Sequence, residues 1–197
     1  MPWKLDYIWG GGANPPTFGF EDGQDDAVVL RRPTAIPDEK HWPIRIFLDS
    51  KHKALPDYTT GPTTGNLLVS KKFRDVVEAW DPVPHTYIPV ALRLPTGEVL
   101  TEKYFIFIPQ EPIENGIVVN ESDVNEVYVN SQLRGYGTTA LRPRLMWRKS
   151  AVGHRHLWTD RYLRKAIVVS DELFTDLEGQ GVRGYQAHET RFSVKEL

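Results

Sequence analysis

One pattern occurs twice in this chain, one hundred positions apart. Leu67-Leu68-Val69-Ser70 runs into Lys71-Lys72-Phe73-Arg74-Asp75-Val76-Val77, and Ile167-Val168-Val169-Ser170 runs into Asp171-Glu172-Leu173-Phe174-Thr175-Asp176-Leu177. Each copy is a short apolar strand, a serine where an N-cap belongs, and apolar residues three and seven positions after the serine, on one helical face. A serine hydroxyl there accepts from an orphan N–H of the first turn. Asp171 and Glu172 suit the positive start of a helix, whereas Lys71 and Lys72 oppose it. Two matched units read either as a duplicated strand–helix element or as the common grammar of strand–helix junctions.

These are the only convincing helical periods in 197 residues. The other apolar runs are short. They predict strands at 26–31, 44–48, 87–94, 99–108, 126–130, 166–169 and 183–188. Pro95-Thr96-Gly97-Glu98 joins 87–94 to 99–108 as a hairpin. Residues 141–147 and 154–158 are expected to pair across the turn at 150–153. Residues 49–64, with Pro56, Gly61 and Pro62, read as loop. Residues 1–25 read as an irregular arm pinned by Trp3, Tyr7 and Trp9, because Gly10-Gly11-Gly12 and Pro15-Pro16 oppose both helix and central strand. The fold expected is α+β: a single domain with a mixed or mainly antiparallel sheet and two principal short helices. Residues 1–62 form its Pro/Gly-rich N-terminal arm and short strands, packed on a core spanning 63–197.

Composition narrows the function. The chain has no cysteine, which removes disulfides, thiolate metal sites and cysteine nucleophiles together. Its first residues carry no apolar run before a cleavage site, and no stretch approaches the ~20 apolar residues of a membrane span. The expected location is the cytoplasm, with no membrane partner. A net charge of −2 hides segregation. Residues 111–126 hold Glu111, Glu114, Glu121, Asp123 and Glu126 with no Lys or Arg. Residues 133–165 hold nine bases against Asp160 alone. Such asymmetry fits either a charged partner or two faces that neutralise each other.

Catalytic and cofactor motifs do not assemble. Gly10-Gly11-Gly12 lacks the Gly-Lys-Ser/Thr of a phosphate loop, and Pro143 follows the loose dinucleotide pattern at 135–140 where a long helix is needed. His154 and His156 would share a face in a strand, but only Asp160 and His188 are available as further metal ligands. Ser70 and Ser170 are better caps than nucleophiles. The expectation is therefore no enzyme, no cofactor and no metal. Two binding surfaces remain. Glu114, Glu121, Asp123 and Glu126 are the candidates for a protein partner. Arg142, Arg144, Arg148 and Lys149, interleaved with Tyr136, Trp147, Trp158 and Tyr162, are the alternative for nucleic acid.

The order of these elements resembles a family of bacterial polymorphic-toxin immunity proteins, first catalogued as a domain of unknown function and later named after a myxobacterial immunity protein. The matching parts begin with the apolar-Val-Ser-helix unit at 67–80 and the aromatic-rich strand pair at 87–108. They continue with the His-led strand at 154–158, the second apolar-Val-Ser-helix unit at 167–177, and the closing Gly181-Val182-Arg183-Gly184-Tyr185. The resemblance covers about 65–190, with a looser match over 1–60. Its motifs are structural and carry no catalytic residues to transfer. It implies a cytoplasmic antidote whose partner is a cognate toxin; a nucleic-acid-binding regulator using the basic-aromatic stretch 133–165 is the alternative read from the residues themselves.

Overall fold

The computed structural model describes residues 1–7, 16–21, 39, 42–49, 55–63, 66–140, 142–163 and 166–194. In chain order its elements are β1 (Trp3–Tyr7), β2 (Phe18–Phe20), β3 (Ile44–Leu48), β4 (Tyr58–Thr60), β5 (Leu67–Ser70), α1 (Lys71–Trp80), β6 (Thr86–Arg93) and β7 (Val99–Ile108). There follow β8 (Val124–Val129), β9 (Gln132–Thr138), β10 (Met146–Trp147), the single turn α2 (Lys149–Val152) and β11 (Leu157–Trp158). The chain closes with β12 (Ile167–Val169), α3 (Asp171–Gly179), β13 (Tyr185–Glu189) and β14 (Arg191–Phe192). This is the α+β architecture expected. The strand predicted at 26–31, the Gly10–Gly12 run and Trp9 lie outside the described residues.

Two larger sheets carry the fold. One runs β2-β3-β6-β7-β5-β4 and is antiparallel except for the β3/β6 pair; the other runs β11-β12-β1-β13 and is antiparallel throughout. The repeated motif explains their likeness. β4-β5-β7-β6 and β11-β12-β1-β13 have the same order and the same alternation of direction, and Tyr58 faces Val69 as Leu157 faces Val169. The units differ in where the third strand comes from. In the first it is β7, returning by the hairpin; in the second it is β1, supplied from the start of the chain.

Both serines cap as expected. Ser70 accepts from Phe73 N–H and Ser170 from Leu173 N–H. Each serine backbone N–H also bonds, at 2.8 Å, to the residue before the neighbouring edge strand: Ser70 to Asp57 O and Ser170 to His156 O. The side chains echo this, with Ser70 Oγ donating to Asp57 Oδ1 at 2.7 Å and Ser170 Oγ 2.8 Å from His156 Nδ1. The unfavourable Lys71 and Lys72 are answered locally. Lys71 pairs with Asp75 at 2.6 Å, and Lys72 reaches Asp57 at 3.3 Å and Gly181 O at 3.2 Å. That last bond joins the start of α1 to Gly181, just past the C-cap of α3, while Trp80 at the end of α1 donates to Asp176 of α3 at 2.8 Å. α3 ends in a Schellman motif: Val182 N–H bonds to Leu177 O, Gly181 N–H to Glu178 O, and Gly181 takes φ +66°.

Three apolar clusters result from strict alternation. Val69, Phe105, Phe107, Leu157, Ile167 and Val169 face the helices, where Phe73, Val77, Leu173 and Leu177 meet them. Leu68, Ile106 and Ile108 turn the other way, against Ile44, Ile46, Ile88, Val90 and Leu92. Trp158 and Val168 turn to a third cluster, with Ile113, Ile117, Leu145, Trp147, Val152 and Leu163. Strands with both faces covered read as continuous apolar runs, which is why they were visible in the sequence.

Three expectations change. Residues 3–7 are a central strand rather than an irregular arm: Leu5 is buried, and Trp3 stacks on Phe174 of α3 at 4.5 Å. The 49–64 loop contains β4, because Tyr58 buries itself against Phe73 and Tyr185. The hairpin between 141–147 and 154–158 does not form. α2 and Gly153, at φ +63°, turn the chain away; β10 pairs in parallel with β14, while β11 pairs with β12.

Candidate partner-binding surface

The acidic and basic stretches of the sequence are laced together backbone to backbone. Ile113 N–H bonds to Thr159 O, Val118 N–H to Met146 O, Arg148 N–H to Gly116 O and Asp123 N–H to Arg144 O, each at 2.8–2.9 Å. Charges far apart in the chain therefore meet. Glu114 pairs with Arg161; Asp123 lies 3.4 Å from Arg144 Nη2 and accepts Arg144 N–H at 2.9 Å; Glu111 lies 3.6 Å from Arg155. Such exposed pairs contribute little stability, on the order of 0–1 kcal/mol each. Their effect is to cancel much of the segregated charge in space.

Asp160 organises this layer. It is buried, and its carboxylate accepts Tyr162 N–H at 2.7 Å, Gly116 N–H at 3.0 Å and Leu163 N–H at 3.2 Å. Burial pushes its pKa up; the three N–H groups offset only part of that, and Glu114 adds to it. A Cβ on Gly116 would sit 2.3 Å from Ile113 Cδ1 and 3.1 Å from Asp160 Oδ2, so a larger residue there would have to push the buried Ile113 side chain aside. Asp81, at the end of α1, makes the contrast. Its side chain is fully covered and accepts N–H groups of Val83, His156 and Leu157. Burial raises its pKa, but the His85 ring and these backbone donors outweigh burial and hold it below the usual carboxylate range. Asp57 makes the reciprocal bridge, accepting Arg183 N–H beyond α3 at 2.9 Å. Two carboxylates thus tie the strand–serine–helix units to each other.

The residues weighed as metal ligands do not converge. His156 Nδ1 faces Ser170, Asp160 is occupied by backbone N–H groups, and His188 lies 3.4 Å from Asp6 across the β1/β13 pair. Among the described residues no group of three or more His, Asp or Glu could hold a metal. His154 and His156 also precede β11, so the shared strand face expected of them is absent.

Of the four acidic candidates, Glu121 accepts from Ser193 Oγ at 3.0 Å and Glu126 from the Tyr128 hydroxyl at 3.0 Å. Glu114 and Asp123 are the two held by arginines. Among the bases, Arg144 serves Asp123 and Arg148 Nε donates to Asn115 O at 3.0 Å; Arg142 is exposed and Lys149 opens α2. Two of the aromatics that suggested base stacking are spent inside: Trp147 and Trp158 are buried and meet edge to face at 5.9 Å, while the half-buried Tyr136 and Tyr162 meet each other at 5.9 Å.

What the sequence reading missed is the partner of its own predicted strand at 126–130. β8 and β9 form a two-stranded ribbon around Asn130-Ser131, both at positive φ (50° and 60°), the primed turn that suits a two-residue hairpin. The signal was present in the alternation on either side of that Asn-Ser pair. Val127, Tyr128 and Val129 are exposed on this ribbon.

The buried carboxylates Asp81 and Asp160 are thus committed to backbone N–H groups of an α+β scaffold, and the exposed ribbon and surface charges lie outside them. The immunity protein family Imm11 matches residues 19–190, and the chain belongs to that family. The match extends the resemblance seen from residue 65 back through β2, β3 and β4. Membership gives the chain a role in toxin immunity. No curated protein matches it. No helix among the described residues is long and apolar enough to cross a membrane.

Proposed function

We propose that this chain is an immunity protein that neutralises a cognate bacterial toxin by direct, stoichiometric binding, in the cytoplasm and without modifying it. The observation that carries the reading is the family match over residues 19–190. The burial and bonding of the polar groups support it: Asp81, Asp160, Ser70 and Ser170 are all engaged with backbone N–H groups, as structural residues are. The contact region we assign is the acidic segment, with Glu114, Glu121, Asp123 and Glu126. Surface carboxylates speed association with a basic toxin cleft and set its specificity more than its final affinity.

The test is co-expression with the toxin gene expected beside its own. The account expects protected cells, a complex of fixed stoichiometry on size-exclusion chromatography with light scattering, and a toxin of unchanged mass. Protection in cells from which no complex can be isolated would contradict it, because that outcome needs an enzymatic antidote.

A further inference from the structure

The described surface exposes large apolar side chains mostly one at a time: Met1, Tyr7, Phe47, Trp80, Val99 and Val194 are isolated from one another in sequence. Single exposures of this kind are ordinary. The ribbon is different. Val127, Tyr128 and Val129 are consecutive and 43%, 54% and 49% exposed, so both faces of β8 present apolar groups to solvent.

Three observations bear on what such a ribbon meets. The outer edge of β8 pairs with no strand among the described residues, and its sequence, Val-Asn-Glu-Val-Tyr-Val, contains neither the lysine nor the proline that commonly protects an edge. The ribbon is held at its base: Tyr136 N–H bonds to Tyr162 O at 2.8 Å, and Gly137 leaves room for the Asn125 side chain, whose Oδ1 a Cβ would approach to 2.7 Å. A ribbon fixed in advance loses less entropy on docking. Glu126 has the Tyr128 hydroxyl as its described partner and faces no cation among the described residues, unlike Glu114 and Asp123. With no cation beside it among the described residues, Glu126 favours a partner that brings one; a second copy in the register that sets Glu126 against Glu126 would instead oppose two carboxylates, and like charges across strands destabilise.

We propose that the β8–β9 ribbon is the element that seats in the toxin, with Val127, Tyr128 and Val129 entering an apolar recess whose rim carries a cation opposite Glu126. This rests on the stoichiometric-binding reading above and adds where and by what chemistry the contact is made. Peptide-like strand addition along the free edge of β8 supplies backbone bonds, and the exposed tyrosine is the type of side chain that dominates interface energies.

The experiment is titration calorimetry and surface-plasmon kinetics with the adjacent toxin's product, inactivated by substitution, against the wild-type chain, Tyr128→Ala, Val127→Thr and Glu126→Lys. Tyr128→Ala is expected to weaken binding by about 30-fold or more. Glu126→Lys is expected to slow association and reverse its salt dependence. Val127→Thr keeps the β-branched shape, so its loss of affinity would not come from unfolding. Tight binding by the wild type together with unchanged affinity in all three variants removes the ribbon and leaves the immunity reading intact. A wild-type chain that does not bind overturns both. A concentration-dependent dimer abolished by Tyr128→Ala would assign the ribbon to a second copy and overturn the proposal.

Discussion

The twin strand–serine–helix units and the layer over residues 113–163 solve the same problem in different ways. In the units, the core-facing apolar positions are spent: Phe73 and Leu173, one hundred positions apart, are both fully buried between the same two sheets. In the outer layer, apolar residues at the base of β8–β9 are buried, while those along the ribbon face solvent. The first region is held by packing and caps; the second by backbone lacing and one buried carboxylate. The difference teaches that exposure in the second region is not poor packing, since the same layer buries Trp147, Trp158 and Leu145 completely.

The largest effects should fall in the units. Phe73→Ala and Leu173→Ala remove fully buried side chains and are expected to cost roughly 3–5 and 2–5 kcal/mol, measured by urea denaturation. Tyr128→Ala in the ribbon should stay within about 0.5 kcal/mol of wild type. A ribbon variant as damaging as Phe73→Ala would erase the contrast.

The two buried carboxylates sharpen it with pH. Asp81 has a folded pKa below its unfolded value, so its contribution is present above the unfolded pKa and lost as pH falls through the folded one. Asp160 has a folded pKa raised by burial, so its contribution is fully present below the unfolded pKa and lost as pH rises through the folded one. The penalty of Asp81→Asn should therefore shrink between pH 7 and about 3.5, while that of Asp160→Asn should grow, the ordinary aspartate pKa lying near ~3.9. At neutral pH, Asp81→Asn is expected to cost about 1.5–3 kcal/mol for weakened charge-assisted bonds. Denaturation curves at the two pH values decide the matter; penalties that move the same way would refute the assignment.

Smaller effects follow at the caps. Ser70→Ala and Ser170→Ala should each cost ~0.5–2 kcal/mol, with Ser70 at the upper end because its hydroxyl also donates to the Asp57 carboxylate, a charge-assisted bond, whereas that of Ser170 meets the His156 ring. Toxin binding should persist in both. A similarly small change is expected at the ribbon turn, where Ser131 sits at φ +60°. Ser131→Gly relieves that conformation and is expected to alter stability by less than about 1 kcal/mol, read as a small shift in melting temperature.

The units were legible because their signals are local. Val69-Ser70 and Val169-Ser170 carry strand, cap and helical period within a dozen residues, and α3 advertises its end with Gly181. β1 was missed beside a Gly/Pro-rich stretch, although Trp3, Leu5 and Tyr7 alternate with Lys4 and Asp6 as a strand should. Its place in the middle of a sheet closed by β12 and β13 is a matter of long-range pairing that no local pattern encodes. The outer layer was least legible. Bonds such as Asp123 N–H to Arg144 O join irregular segments that carry no periodicity. The charge of residues 111–126 was plain, but its partial neutralisation by Arg144, Arg155 and Arg161 depends on that lacing.

The central claim, blockade by occupation, is tested most directly by titrating toxin activity. A fixed concentration of active toxin, well above the dissociation constant, is mixed with increasing amounts of this chain, and residual activity is measured after short and long incubation. The account predicts a linear fall that ends at a fixed molar ratio and does not move with incubation time. Progressive extinction of activity by substoichiometric amounts of the chain would contradict it.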